Sequence, residues 1–226
     1  MVYYRANHGL AVTHYTTSSA STRIGDHDLS LTVRQETDYP SSGEVMLHLD
    51  PSRPAVFPLY LRIPRWCATA SVRVNGRPVE EPAESGTLMR IEREWRPGDC
   101  VQLEMPMPCR WVRGRQPQSG RAALLRGPVL FCLNPTRNHA VAGMDLHDLT
   151  IDPVSLVEIV EDSAIRPGGR ACRVRAWSPG RWRAGAAPDL TLLLTEFADP
   201  GGEATHLRVP PTQAEACVED ELAQSL

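Results

Sequence analysis

The chain has 226 residues, 42% of them hydrophobic and 23% charged, with a formal net charge of −3. That is enough chain to bury one large core or two smaller ones, it is too apolar for global disorder, and its charge gives no footprint for nucleic acid. Twenty prolines and sixteen glycines spread along the chain point to short elements broken by frequent turns, which favours an all-β fold. Every basic residue is arginine; codon bias accounts for this more simply than a run of anion contacts.

The opening MVYYRANHGL lacks a basic segment followed by an apolar run, so no secretory leader is read there and the cytoplasm is the default expectation. No stretch approaches the ~20 apolar residues of a membrane span. Asp26-His27-Asp28 reads as a turn before the first strand. Two-residue alternation then dominates: Leu29, Leu31 and Val33; Val45, Leu47 and Leu49; Leu59, Leu61 and Ile63; Val72 and Val74. Asn75-Gly76 suits both positive-φ positions of a type I′ turn and predicts a hairpin into Val79. A strand at Leu88–Ile91, a turn at Arg96-Pro97-Gly98-Asp99 and a strand through Val101, Leu103 and Met105 complete a set expected to form an antiparallel sandwich over 22–109.

After Met105-Pro106-Met107-Pro108 the pattern changes. Residues 110–120 are basic and glycine-containing and read as a linker. A second β-sandwich is expected over 121–211, from apolar runs at Ala122–Leu125 and Val129–Leu133, alternation at Cys172, Val174 and Ala176, and a run at Leu190–Leu194. Pro153 argues against one helix across Leu146–Val160. Thr212 and Glu215 have capping-box spacing, so the tail 212–226 is expected to be a short helix or a frayed acidic end.

Few residues are placed to do chemistry. Glu36 and Asp38 lie two apart on one strand and share a face, whereas glycoside hydrolysis needs carboxylates on either side of a bond. There is no Gly-x-Ser-x-Gly elbow, no helical His pair and no CxxC among the six cysteines, so no catalytic or metal-binding residue is expected in this chain. Cys132, inside Leu130-Phe131-Cys132-Leu133, reads as a buried free thiol. Trp66 and Trp95, beside turns at strand ends, are expected to pack in the core. Trp111, in the basic linker, and Trp177 and Trp182, in a loop-like stretch, are expected to be open and are the candidates for contact with a sugar ring.

Several short stretches together resemble glycoside hydrolase family 127, the β-L-arabinofuranosidase-like proteins. Gln35-Glu36-Thr37-Asp38-Tyr39-Pro40 is similar to its Gln-x-Thr-x-Tyr-Pro strand. Leu61-Arg62-Ile63-Pro64-Arg65-Trp66 is similar to its Leu-Arg-Ile-Pro-x-Trp motif, followed by Val74-Asn75-Gly76. Arg93-x-Trp95-x-x-Gly98-Asp99, Met105-Pro106-Met107, Gly120-Arg121-Ala122 and Arg126-Gly127-Pro128-Val129 continue the likeness in order. The resemblance implies an (α/α)₆ barrel bearing a zinc-bound cysteine nucleophile and glutamates, followed by two β-sandwich domains. Residues 1–21, with Tyr3-Tyr4 and Leu10–Tyr15, resemble the connection just after that cysteine pair. No adjacent cysteines occur here, so no catalytic residue carries over, zinc is expected in the barrel and none in this chain. The chain is then expected to be the inactive C-terminal β-sandwich region of such an enzyme, a fragment or split product whose segment before Thr22 packs on the barrel in cis or in trans. The alternatives are a free-standing carbohydrate-binding module and a structural or partner-binding sandwich. Neither nucleic acid nor membrane is an expected partner.

Overall fold

A computed structural model describes residues 1–6, 8–25 and 29–219, and the turn read at Asp26-His27-Asp28 lies outside them. The fold is all-β, in two compact units, Met1–Met107 and Pro108–Leu226.

The first unit contains β1 (Tyr3–Ala6), β2 (Gly9–Val12), β3 (Ser18–Ile24), β4 (Leu29–Thr37), β5 (Glu44–Pro51), β6 (Ala55–Arg62), β7 (Ser71–Val74), β8 (Arg77–Pro78), β9 (Leu88–Trp95) and β10 (Asp99–Glu104). They form two sheets, β1-β2-β6-β9 and β3-β4-β5-β10-β7-β8. The alternation decides which faces meet. Leu29, Leu31, Val33, Val45, Leu47, Leu49, Val101 and Leu103 from one sheet and Leu10, Val12, Phe57, Leu59, Leu61, Met89, Ile91 and Trp95 from the other fill a common core. The strand expected at Leu88–Ile91 runs on to Trp95, whose indole Nε1–H donates to the Phe57 carbonyl at 2.9 Å.

Residues 1–21 are more than a connection. β1 and β2 form a hairpin, and β2 pairs in parallel with β6, so Leu10, Ala11, Val12 and Tyr15 are buried within this unit and are not available to cover another domain. The close approach of β2 and β6 requires Gly9, where a Cβ would lie 1.9 Å from the Pro58 carbonyl oxygen.

The second unit contains β11 (Cys109–Arg113), β12 (Arg121–Arg126), β13 (Val129–Leu133), β14 (Thr150–Ile151), β15 (Glu158–Glu161), β16 (Arg170–Trp177), β17 (Leu190–Glu196) and β18 (His206–Arg208). Its layers are joined into one sheet. One edge of β12 pairs with β13 at Leu125–Arg126 and with β18 at 121–123, so the order β12-β13-β17-β16-β14-β18 closes into a six-stranded barrel. β11 adds outside β12, and β15 adds to β16. Leu124, Phe131, Leu133, Leu149, Ile151, Val174, Leu192, Leu194 and Leu207 fill the interior. The basic stretch 110–120 is therefore only partly a loop: Arg110–Arg113 is strand, held in register by Trp111 opposite Leu124. At the tail, Pro211–Ala216 forms a 3₁₀ turn whose cap is Pro210, with no side-chain capping bond. Thr212 thus lies inside the turn, and residues 220–226 lie outside the described residues.

Candidate functional site

The motif residues of the first unit are used for folding. Gln35, fully buried on β4, donates from Nε2 to the Thr16 carbonyl at 2.8 Å and so anchors the chain between β2 and β3. Thr37 Oγ1 donates to the Glu44 carbonyl at 2.5 Å and accepts from the Tyr39 amide at 3.0 Å. Tyr39, before a cis bond to Pro40, packs edge-on against Tyr15, ring centroids 5.9 Å apart. Tyr15 in turn donates to the Arg62 carbonyl at 2.6 Å. Burial lifts the Tyr15 and Tyr39 phenols above their ordinary range, so both stay neutral. Trp66 is partly buried and packs on the same core. Asn75 and Asp99 lock two turns together: Asn75 Nδ2 donates to Asp99 Oδ1 at 2.8 Å, the Cys100 amide donates to Asn75 Oδ1 at 2.9 Å, and the Arg96 amide donates to Asp99 Oδ2 at 2.9 Å.

Glu36 and Asp38 are exposed. Glu36 pairs with Arg34 at 2.8 Å, and both carboxylates line a shallow groove with Glu44, a solvated arrangement with no opposed pair. All six cysteines are free thiols; Cys100 contacts Met46, Cys132 contacts Thr195, and Cys109 and Cys172 lie 3.8 Å apart, with no histidine in these contacts. Among the described residues no three His, Cys, Asp or Glu side chains converge as a metal site would require, so the residues present do not fit the zinc that the resemblance implies for its barrel. No helix is long and apolar enough to cross a membrane, which says nothing of membrane β-barrels.

The three tryptophans read as open separate sharply. Trp111 is 4% exposed, because residue 111 belongs to a strand and its side chain enters the barrel core. Trp177 is 3% exposed at the end of β16 and donates from Nε1 to the Ala186 carbonyl at 3.2 Å. Neither offers a face to a ligand. Trp177 instead anchors the loop 178–189 that carries Trp182. Asp189 accepts from the Ser178 amide at 2.9 Å and the Ser178 hydroxyl at 2.6 Å, closing that loop. Arg183 donates to the Gly180 and Trp182 carbonyls, both at 2.7 Å. Trp182 is partly exposed and lines a groove of about 530 Å³ with Arg121, Thr150, Arg208 and the segment Val209-Pro210-Pro211.

A second polar cluster in this unit escaped the sequence reading. Asp199 accepts from Asn134 Nδ2 at 3.0 Å, Thr195 Oγ1 at 2.8 Å and the Gly201 amide at 3.0 Å. Asp162 accepts from Arg137 at 2.7 Å, and Glu196 accepts from Arg166 Nη2 at 2.8 Å and the Arg170 amide at 3.0 Å. Asn138 bridges the Asn134 and Leu193 carbonyls. The Arg137 hydrogen bond holds the Asp162 carboxyl below the usual carboxylate range; at Asp199 burial pushes upward, but the bonds from Asn134, Gly201 and Thr195 outweigh it. The available signal was Thr195-Glu196 directly after an apolar run, and Asn134 directly after another. The groups are saturated by one another, which makes this a brace for loops and not a reactive centre.

Residues 9–107 match the family model described as Beta-L-arabinofuranosidase, GH127 middle domain, whose end coincides with the end of the first unit. Among solved structures, Ara127N-Se, a GH127 β-L-arabinofuranosidase from Geobacillus stearothermophilus T6, aligns with TM-score 0.76 and 27% identity over 92% of this chain and 35% of that one. A glycoside hydrolase aligns with TM-score 0.74 and 24% identity over 92% and 37%. BT3674, a GH127 β-arabinofuranosidase, aligns with TM-score 0.76 and 23% identity over 96% and 37%. The latter two are likenesses of fold alone, and the chain spans little more than a third of each of these proteins. No curated protein sequence matches. The matched model describes a middle domain, and the likeness to glycoside hydrolase family 127 in sequence rests on the first unit.

Proposed function

We propose that this chain is the non-catalytic β portion of a GH127-like glycoside hydrolase, supporting an (α/α)₆ catalytic barrel met in cis or in trans, with β-L-arabinofuranosidase-type hydrolysis as the parent activity. The match to the GH127 middle domain over the whole body of the first unit carries this reading. The fate of the motif residues supports it: Gln35, Thr37, Tyr39, Asn75, Trp95 and Asp99 are spent on turns and packing. Zinc belongs to the barrel in this reading. The full chain, assayed on an aryl β-L-arabinofuranoside with and without added zinc, is expected to give no turnover above the blank; measurable turnover overturns the proposal. The coding DNA upstream of Met1 supplies a second check. An in-frame helical barrel ending in paired cysteines supports it, and an unrelated upstream gene favours a free-standing carbohydrate-binding module.

A further inference from the structure

The Trp182 groove has a charge pattern that the fold does not need. Arg121 on β12 and Arg208 on β18 are direct partners across the ladder, and like charges placed so are mutually unfavourable. Only one of them is neutralised: Arg208 pairs with Asp148 at 2.5 Å and donates from Nε to the His147 carbonyl at 3.2 Å. Arg121 has the His147 Nδ1 as acceptor, at 3.4 Å, and among the described residues no carboxylate. The two guanidiniums therefore leave one positive charge at the groove, between Thr150 and an aromatic side chain held out by a braced loop. Burial, then the Arg121 charge, holds His206 below its usual pKa, so the adjacent imidazole does not add to that charge at neutral pH. The groove's volume is within the range of small-ligand sites and its lining is mixed, with three prolines and an indole set against two planar cations.

We propose that this groove binds a saccharide bearing a carboxylate, with Trp182 packing on a sugar ring and Arg121, aided by Arg208, pairing with the anion. An indole supplies the apolar contact that a sugar ring needs, and a guanidinium supplies a planar donor fork matched to a carboxylate. All the groups lie in the second unit, so the inference does not depend on the glycosidase reading.

Calorimetric titration of the full chain with digalacturonate, and with the neutral galactose disaccharide of the same linkage, tests it. Digalacturonate is expected to bind saturably, weaken with added salt, and exceed the neutral sugar by about ten-fold or more, as a charge-assisted bond implies. Trp182→Ala and Arg121→Gln change side chains outside the buried core, and an unchanged far-UV circular dichroism spectrum checks that they fold. Each is expected to abolish or cut binding about ten-fold or more. Absence of saturable binding, equal affinity for the neutral disaccharide, competition by acetate at the same concentration, or full affinity in Trp182→Ala each overturns the proposal.

Discussion

Asn75 sits at φ 51° between β7 and β8, a left-handed conformation that asparagine tolerates better than most residues, and its amide also reaches the turn before β10. Backbone and side chain contribute separately, and two substitutions divide them. Asn75→Gly keeps the turn conformation and loses both side-chain bonds, with an expected cost of about 1–2 kcal/mol. Asn75→Ala loses the same bonds and, unlike glycine, keeps a Cβ in the left-handed region without asparagine's local polar contacts, adding roughly 1 kcal/mol relative to Asn75→Gly. Urea denaturation of the two variants reads the difference directly. Equal losses would mean that the bonds to Asp99 and Cys100 carry the whole effect. Gly9 makes a harsher demand, since no rotation removes a Cβ from 1.9 Å off a backbone oxygen. Gly9→Ala is expected to part β2 from β6 and leave little folded first unit, visible as lost near-ultraviolet circular dichroism from Trp95. A native spectrum would show that the two strands can shift to accept it.

Loops of the second unit are held by the Asp162 and Asp199 carboxylates, so their stability should follow pH. Asp162 and Asp199 titrate below their ordinary 3.8 in the folded chain, for the reasons of hydrogen bonding given above. In the unfolded chain they take up protons near that ordinary value, so acid favours unfolding first. Their stabilisation is complete at neutral pH and down to about pH 5, then drains away as pH falls through and below ~4. Thermal midpoints measured from pH 6 to 2 should show this acid limb for the wild type and a shallower one for Asp162→Asn/Asp199→Asn. An unaltered limb would place the acid sensitivity elsewhere. This cluster also shows where sequence reading stops. Strands such as β4 and β5 were legible because each packs one face, which writes a two-residue period into the chain. The Asn75-Gly76 hairpin was legible because its φ angles limit residue choice. Asp199, Asn134 and Asp162 meet only after distant loops close, and no local pattern records that. Trp111 misled for a related reason: its polar neighbours Arg110 and Arg113 are those of an added strand, and a loop looks the same in composition. Of the three candidate tryptophans, the deciding quantity was burial, which depends on strands remote in sequence.

Among the described residues the hydrophobic core forms two clusters, one drawn from residues 10–105 and the other from 111–217, with no residue in common. A cooperative unfolding unit is a contiguous core, so each half should melt by itself. Substitutions then act locally. Asp199→Ala strips the acceptor from Asn134, Thr195 and Gly201 in the second unit, and leaving such buried donors unpaired costs about 3 kcal/mol. Asn75→Ala acts in the first unit only. Differential scanning calorimetry of the full chain is expected to resolve two components. Asp199→Ala should lower one and Asn75→Ala the other, and the double variant should show the sum of the single shifts, as sites without shared partners do. The identity of each component can be read independently, because Trp95 reports on the first unit, and Trp111 and Trp177 on the second. If either single substitution displaced both components together, the halves would be one thermodynamic unit, and the separate cores would be a feature of packing without consequence for folding.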